Sequence, residues 1–457
     1  MMLPDYFLAD VPGGPVLTPQ LVTDACITLK QNRTRHLVDR TTAELIELLA
    51  RVAGDWLEPD NPFRRRALEE GPGVTGFSRE TLTAGLDDFF GSVTVESLRA
   101  LVTQDVGHPH RLERPLATEQ DTHEGRRALA VGPELLVHVT GGVLPNPPMT
   151  SLMLGLLARS AQFMKCARGT SLVPRLFAHS LREVAPKLAA TIEIAEWRGG
   201  DEPLEAALLA QANCVTATGR DTTLASLRQR LPVPARWVSY GHRVSVGYVT
   251  HEMLSSRMLP EIVQAAARDV AAWDQLGCLS PQAFYVESGG RFPPEHFAEA
   301  LAGAMEKTER VQPAGPPAPE TAAAIAARRR IYELRAANLS HTRLWQSPGS
   351  TAWTVVHEED PDFKPSCGHR FVPVKPVANL TEALKGLDPV RGQVSTVGLG
   401  APGPRETELV TGFARWGVTR ICPLGRMQIP PLSWRHDGRP SLGDLLLWCD
   451  WESSARW

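Results

Sequence analysis

The stretch Glu134–Thr170, "ELLVHVTGGVLPNPPMTSLMLGLLARSAQFMKCARGT", decides how the middle of this chain folds. "ELLVHVT" is strand-like. Gly141 and Gly142 end it, Pro145 turns the chain, and "PMTSLMLGLLARS" reads as an apolar helix. "QFMKCA" is then a second short strand, and the unit repeats. "LVPRLFAHSLREVAPKLA" leads to "TIEIAEW", "DEPLEAALLAQA" to "CVTATG", and "DTTLASLRQRL" to "ARWVSYG". Strands and helices that alternate with such short connections predict a parallel sheet with crossover helices.

Outward from this region the pattern changes on both sides. The first ~130 residues read as helices joined by polar loops. "TTAELIELLARVAGDWL" has apolar residues at helical spacing, and "SVTVESLRALVTQDV" opens with N-cap chemistry. "HPHRLERPLATEQDTHEGRRALAVGP" reads as a solvated connection. Beyond "HRVSVGYV" a second region begins, with a strand near Phe284 and a helix at "HFAEALAGAMEK". "VQPAGPPAPE", Val311 to Glu320, reads as a surface loop before the long helix "TAAAIAARRRIYELRAANL". "STAWTVVHE", "RFVPVKPV" and "QVSTVGL" are three further strands.

The bulk numbers narrow the function classes. A chain of 457 residues exceeds one ordinary core, so at least two domains are expected. The net charge is −3 and no Lys/Arg block dominates, so no nucleic acid is expected as a partner. The seven cysteines are dispersed without a CxxC, which is neither a disulfide framework nor a zinc site. A reducing cytoplasm is the expected location. The opening "MMLPDYFLADVPGG" has no basic n-region of the kind a signal peptide carries. "PPMTSLMLGLLA" is too short to span a bilayer, so no stable membrane insertion is expected.

Four stretches hold candidate chemistry. In "WDQLGCLSPQAFYVE", Trp273 to Glu287, Cys278 sits between Gly277 and Leu279 at a helix-to-strand junction. Most cysteines are inert core residues, but here Gly277 leaves room for a substrate and junction N–H groups favour a thiolate. In "HVTGGVLPNPPMTS", Asn146 either caps a helix or donates to an oxygen that becomes negative during reaction. In "QFMKCARGTS", Lys165 lies near the carboxyl end of a buried strand. With Arg168 beside it, it is either a solvated charge or a contact to phosphate or ribose. "CVTATGRDTT" ends a strand in Thr218 and Gly219 at a helix start, which suits an anion.

Two other runs look like sites and read otherwise. "GLGAPG", Gly398 to Gly403, has GxGxxG spacing, but no acidic residue follows at the expected distance on a second strand. It reads as a tight loop. "SCGHR" places Cys367 and His369 two apart, with no second pair nearby for a metal.

Taken in order, an Asn turn, a Lys strand, a Thr/Gly strand end and then the Cys resemble the aldehyde dehydrogenase superfamily. "GGVLPNPP", "YGHRVSVGY", "WDQLGCLSPQ" and "GRMQIPPLSWRHDG" make the chain most similar to the LuxC-like fatty acyl-CoA reductase family, over Leu135 to Glu452. The resemblance implies an α/β, aldehyde dehydrogenase-like fold: a Rossmann-like cofactor domain plus an α/β catalytic domain, with a helical N-terminal region. The expected segments are 1–249 for the helical region and cofactor domain, 250–420 for the catalytic domain, and 421–457 for a segment packing across domains or at an oligomer interface. By the same resemblance Cys278 would accept the acyl group and Asn146 would form part of the oxyanion hole. Lys165 would bind the adenosine ribose or its phosphate, and Thr218 and Gly219 would line the cofactor cleft. The expected substrate is acyl-CoA or an acyl-carrier thioester, and a homo-oligomer, dimer or tetramer, is expected.

Two departures from the family pattern bear on the chemistry. Hydrolytic relatives carry a water-activating Glu where "VSYGHR" has Ser239, which favours acyl thioester reduction over aldehyde oxidation. NAD-preferring relatives often place Glu where Arg168 stands. A guanidinium pairs with a 2′-phosphate, so NADPH is the expected cofactor. The counterpart of a second family Glu, "CGHRFVPV", has none, so that ribose contact is left unassigned. The expected reaction is NADPH-dependent reduction of a long-chain acyl-CoA to the aldehyde through an acyl-cysteine. The alternative is a Cys278/His242 acyltransferase or thioesterase that uses no nicotinamide.

Overall fold

The computed structural model describes residues 3–11, 16–255 and 257–452. Of the opening stretch, residues 1, 2 and 12–15 therefore lie outside the described residues. In chain order the strands are β1 (Arg126–Val131), β2 (Leu135–Val139), β3 (Ala161–Cys166), β4 (Ile192–Glu196), β5 (Cys214–Thr218), β6 (Arg236–Tyr240) and β7 (Val244–Val249). They continue with β8 (Pro281–Glu287), β9 (Arg343–Gln346), β10 (Thr354–His357), β11 (Phe371–Val377), β12 (Val394–Gly400), β13 (Arg420–Pro423) and β14 (Leu447–Glu452). By contacts the chain forms two units. One is Met1–Thr75, Asp87–Gly241 and Pro431–Trp457; the other is Gly76–Leu86 and His242–Pro430.

In the first unit a five-stranded sheet runs in the order β4-β3-β2-β5-β6, parallel throughout. The alternation that begins at Glu134 thus gives the expected crossover sheet. The helices Asn146–Leu157, Leu172–Val184, Glu202–Gln211 and Asp221–Gln229 make the connections. β2 comes first in the chain yet lies in the middle. The winding therefore reverses between β2 and β5, where an open α/β sheet leaves a crevice beyond its carboxyl ends. Every residue of β3 is buried, Gln162 and Lys165 included, as befits a central strand covered on both faces.

The helical N-terminal region forms as expected, from Pro19–His36 to Val95–Val106. Thr41 and Glu44 make a reciprocal capping box at the start of Thr42–Leu57, which turns Leu45, Leu49, Val52 and Trp56 inward. Thr94 caps Val95–Val106. The supposed connection after this region is not wholly solvated. It contains β1, which pairs antiparallel with β14, Arg126 opposite Glu452 and Val131 opposite Leu447. A partner so remote in sequence leaves no local signature.

The second unit holds a seven-stranded sheet, β13-β12-β7-β8-β11-β10-β9, parallel except for the β9–β10 pair. Helices Leu259–Ala271 and Pro294–Val311 pack on one face, where Val263, Val270, Phe284, Phe297 and Leu301 share a core. Leu380–Leu387 and Gly403–Trp416 cover the other, with Tyr248, Tyr285, Leu387 and Phe413. "GLGAPG" gains a packing explanation. Gly398 and Gly400 belong to β12, and a Cβ at Gly398 would fall 2.5 Å from the Met427 sulfur. "VQPAGPPAPE" is not purely a surface loop, because Gly315 is buried.

His138 stitches the first sheet together from inside. Its Nδ1 lies 2.7 Å from Thr216 Oγ1 on β5 and its Nε2 lies 3.0 Å from Gln162 Oε1 on β3. Burial pushes its pKa down to about 4, with the Gln162 bond pulling weakly the other way. The unfolded chain gains a proton near the ordinary value of 6.5 that the folded chain refuses until about 4. Stability is therefore fully present above that value and is lost as pH falls through the window, by about 1.4 kcal/mol per pH unit for one proton. His138→Gln should flatten the fall in melting temperature between pH 6.5 and 4.5. A flatter profile for the variant than for the unaltered chain would show that this imidazole stays unprotonated in the fold.

Candidate active site

The exits of β2, β3 and β5 form one rim at the carboxyl end of the five-stranded sheet. Thr140 N donates to Lys165 O at 3.0 Å on one side, and Gly141 N donates to Thr218 Oγ1 at 3.1 Å on the other. Gly141 is required by this closeness, since a Cβ there would lie 2.8 Å from the Thr218 carbonyl oxygen. Gly219 faces open space, as a cleft lining should.

Asn146 opens the helix Asn146–Leu157, but it does not cap it. The N-cap position is Pro145, and no side-chain cap bond forms. Pro147 and Pro148 follow and have no N–H, so this helix start offers a poor backbone nest. The Asn146 side chain makes no hydrogen bond among the described residues, and its Oδ1 is buried. The capping explanation of this residue is therefore excluded, and its amide is uncommitted.

Lys165 is nearly fully buried, with Nζ 5.8 Å from the centre of the Trp197 ring. Among the described residues Nζ has neither a hydrogen-bond acceptor nor a carboxylate at ion-pair distance. Burial lowers its pKa, opposed chiefly by Glu205. Trp197 Nε1 is likewise buried without an acceptor. A buried donor without an acceptor is costly unless a ligand supplies an oxygen, and the ammonium beside it also has no acceptor among the described residues. Arg168 is exposed on the next turn. Glu196 pins that turn, accepting from Gly169 N and, at 2.6 Å, from the Ser171 hydroxyl. Sequence reasoning missed Glu196 and Trp197, although both close the strand "TIEIAEW".

Cys278 lies in the other unit, between the helix Leu259–Ala271 and β8. The thiol is exposed, while burial raises the pKa of Cys26, Cys166 and Cys214 to about 12 and of Cys422 to about 11. Cys367 is raised for the same reason. Cys449 is the other exposed thiol, on β14. Trp273, Asp274 and Gln275 precede Cys278 with φ of 52°, 49° and 62°. Left-handed non-glycine residues cost roughly 1–3 kcal/mol each, so surrounding contacts must hold this turn.

Those contacts are specific. Arg370 Nε and Nη2 reach Asp274 Oδ1 at 2.9 and 2.7 Å, and Gly315 N donates to Oδ2 at 3.0 Å. Burial pushes the Asp274 carboxyl up and the guanidinium pulls it back. Gln275 Nε2 donates to Pro281 O at 2.8 Å. Beyond the thiol, Ser245 Oγ donates to Cys278 O at 2.8 Å, and Gln428 Nε2 bonds the Ser280 hydroxyl. Gln428 belongs to "GRMQIPPLSWRHDG". Further along the same motif, His436 stacks on Tyr240 at 4.2 Å.

The remaining candidates fall elsewhere. His242 is exposed between β6 and β7, and the carbonyl of Ser239 accepts from Arg439 at 2.8 Å. His251, Glu252 and Glu287 come close enough to share an ion. The Arg405 guanidinium already reaches both Glu287 oxygens, at 2.5 and 2.9 Å, so that cluster is neutralised from within.

The fold is that of the aldehyde dehydrogenases. An NAD-dependent benzaldehyde dehydrogenase from Corynebacterium glutamicum superposes with a TM-score of 0.70 at 14% identity, over 97% of this chain and 91% of that one. An NADP-dependent glyceraldehyde-3-phosphate dehydrogenase from Bacillus halodurans gives 0.69 at 14%, over 96% and 92%. Bradyrhizobium japonicum proline utilization A gives 0.69 at 15%; the match takes in 95% of this chain but 45% of that longer one. A search of curated proteins gave no match. The sequence matches the acyl-CoA reductase (LuxC) family over residues 37–448, and the chain belongs to that family.

No helix among the described residues is long and apolar enough to cross a membrane. The two glycines of the rim make opposite predictions. Gly141→Ala drives a methyl group into backbone and should cost about 1–3 kcal/mol, read as a melting temperature lower by a few degrees. Gly219→Ala should leave the melting temperature within about a degree. Equal melting temperatures for the two variants would contradict the close approach of β2 and β5.

Proposed function

We propose that this acyl-CoA reductase family member reduces a long-chain fatty acyl-CoA to the aldehyde with NADPH, by way of an acyl thioester on Cys278. The observation that carries the reading is the setting of Cys278. It is an exposed thiol on a left-handed turn, braced on both sides, in a chain whose other cysteines are mostly buried and raised in pKa. A thiolate there attacks the acyl carbonyl and CoA leaves, giving the acyl-enzyme. The uncommitted Asn146 amide donates to the oxyanion.

The rim of the five-stranded sheet fits a dinucleotide, because Trp197 Nε1 is buried without an acceptor and the Lys165 ammonium stands beside that ring, which suits the oxygens of ribose and phosphate. Thr218 and Gly219 line the same rim. The nicotinamide, when bound, supplies the hydride that makes the acyl carbon an aldehyde. Arg168 supports the 2′-phosphorylated form. It is an exposed guanidinium on the Lys165 turn, and the one nearby carboxylate shown to pin that turn, Glu196, is already occupied by Gly169 and Ser171.

The deciding experiment is mass spectrometry of the intact protein after addition of a long-chain acyl-CoA without NADPH. An adduct should form on Cys278 and leave as aldehyde when NADPH is added, and Cys278→Ala should form none. Loss of the adduct as free acid, without NADPH oxidation, would instead establish the thioesterase alternative. Asn146→Ala should lower kcat by about 10²–10³ with the adduct site unchanged. Arg168→Glu should shift the NADPH/NADH ratio of kcat/KM toward NADH by about tenfold or more. An unchanged ratio would remove Arg168 from cofactor choice.

A further inference from the structure

We infer that the buried Arg370–Asp274 pair, backed by Glu309 and Gly315, positions the Cys278 turn for acyl transfer, so that Arg370 and Asp274 are positioning residues for the nucleophile. The inference rests on the acyl-cysteine reading above and adds residues to which that reading gives no role.

Three segments distant in sequence meet at one carboxylate. From the "WDQLGC" turn comes Asp274, 2% exposed. From the "SCGHR" run comes Arg370, 0% exposed, which reaches Asp274 with Nε and Nη2. From the proline-rich loop comes Gly315, whose N–H donates to the second Asp274 oxygen at 3.0 Å. Arg370 spends its remaining arm, Nη1, on Glu309 Oε2 and the Gln312 carbonyl, each at 2.9 Å. Glu309 in turn accepts from Ala314 N at 3.1 Å. The guanidinium fork thus ties the nucleophile turn to the loop as well as to its own strand.

The backbone on both sides of the pair is in the left-handed region. Trp273, Asp274 and Gln275 are there on one side, and His369 (φ 51°) and Arg370 (φ 58°) on the other. Neither segment adopts such a conformation for its own sake, so each depends on the other. The loop is equally constrained. A Cβ at Gly315 would fall 1.8 Å from the Gly76 carbonyl oxygen, so only glycine brings this N–H to Asp274. Cys278 follows Asp274 by four residues, and the intervening Gln275 is anchored to Pro281, the first residue of β8. The direction in which the thiol leaves the turn is set at Asp274. The "SCGHR" and "VQPAGPPAPE" runs, which suggested no chemistry in the sequence, acquire one purpose together.

The test separates positioning from exposure. Arg370→Met, Arg370→Lys and the unaltered chain are compared for acyl transfer from a long-chain acyl-CoA to Cys278, and for alkylation of Cys278 by iodoacetamide across pH. Both are read by peptide mass spectrometry. A small alkylating agent needs only an accessible thiol, whereas acyl transfer needs an aligned one. Arg370→Met should slow acyl transfer about a hundredfold while alkylation falls by no more than about threefold, and Arg370→Lys should recover about tenfold of the loss. If Arg370→Met does not fold, Glu309→Gln, on the more exposed flank, should slow acyl transfer about fivefold with alkylation retained. Acyl transfer at the unaltered rate in the soluble variants, or acyl transfer and alkylation falling in parallel, would overturn the inference alone. No adduct on Cys278 in the unaltered chain would sink the proposed reaction and this inference together.

Discussion

Asp274 and Arg370 are both withdrawn from water, and the turn that bears Cys278 depends on their pairing. Removing two such charges from solvent costs several kcal/mol each, and their attraction repays this only when the remaining lone pairs and protons are also satisfied. Here most of them are: Gly315 N takes the second Asp274 oxygen, and Glu309 with the Gln312 carbonyl takes Nη1, while Nη2 lies 2.7 Å from Asp274 Oδ1 without a hydrogen bond among the described residues. A hydrophobic pair of similar volume would serve stability as well or better. What it would lack is direction. A left-handed run of three residues is held open only by contacts that fix angle as well as distance, which a forked guanidinium provides and a methyl group does not.

The two units use polar groups in opposite ways. Around the thiol, hydroxyl, amide and carboxylate are largely engaged within the fold: Ser245 with Cys278 O, Gln428 with Ser280, Asp274 with Arg370. At the rim of the five-stranded sheet, Lys165 Nζ, Trp197 Nε1 and the Asn146 amide are buried or half-buried and left without partners. Engaged groups make a rigid support, and orphaned ones make a binding surface. On the proposed reading, the rigid support serves the acyl-cysteine and the binding surface serves the cofactor.

Much of this was legible in the sequence, and the limits have physical causes. The alternation from Glu134 to Tyr240 fixes its own answer, because a parallel sheet buried on both faces needs short apolar strands and crossover helices of standard length. β1 was not legible, because its partner β14 lies more than three hundred residues away and neither strand has a continuous apolar run. Compositional boundaries run in chain order, whereas Gly76–Leu86 and Pro431–Trp457 each join a unit formed mostly from distant sequence. At the site, Cys278, Asn146 and Lys165 stand out locally, by a glycine, a proline turn and a strand end. Arg370, Gly315 and Gln428 do not, because each acts on the turn across a gap of tens to more than a hundred residues.

The helix cap that Asn146 does not make joins these threads. An asparagine at a helix start is ordinarily explained by capping, and that explanation consumes the side chain. By placing Pro145 at the cap and two prolines after Asn146, the chain removes the N–H groups the side chain would have satisfied, and with them any backbone nest. The helix starts without its best cap, a loss of about 1 kcal/mol. In return a side-chain amide stands rigidly at the sheet's carboxyl rim with no internal claim on it. On the proposed reading, local stability has been given up at a position where a preorganised donor is worth about 3 kcal/mol to a developing oxyanion, and a group kept for catalysis accounts for that exchange where helix capping does not.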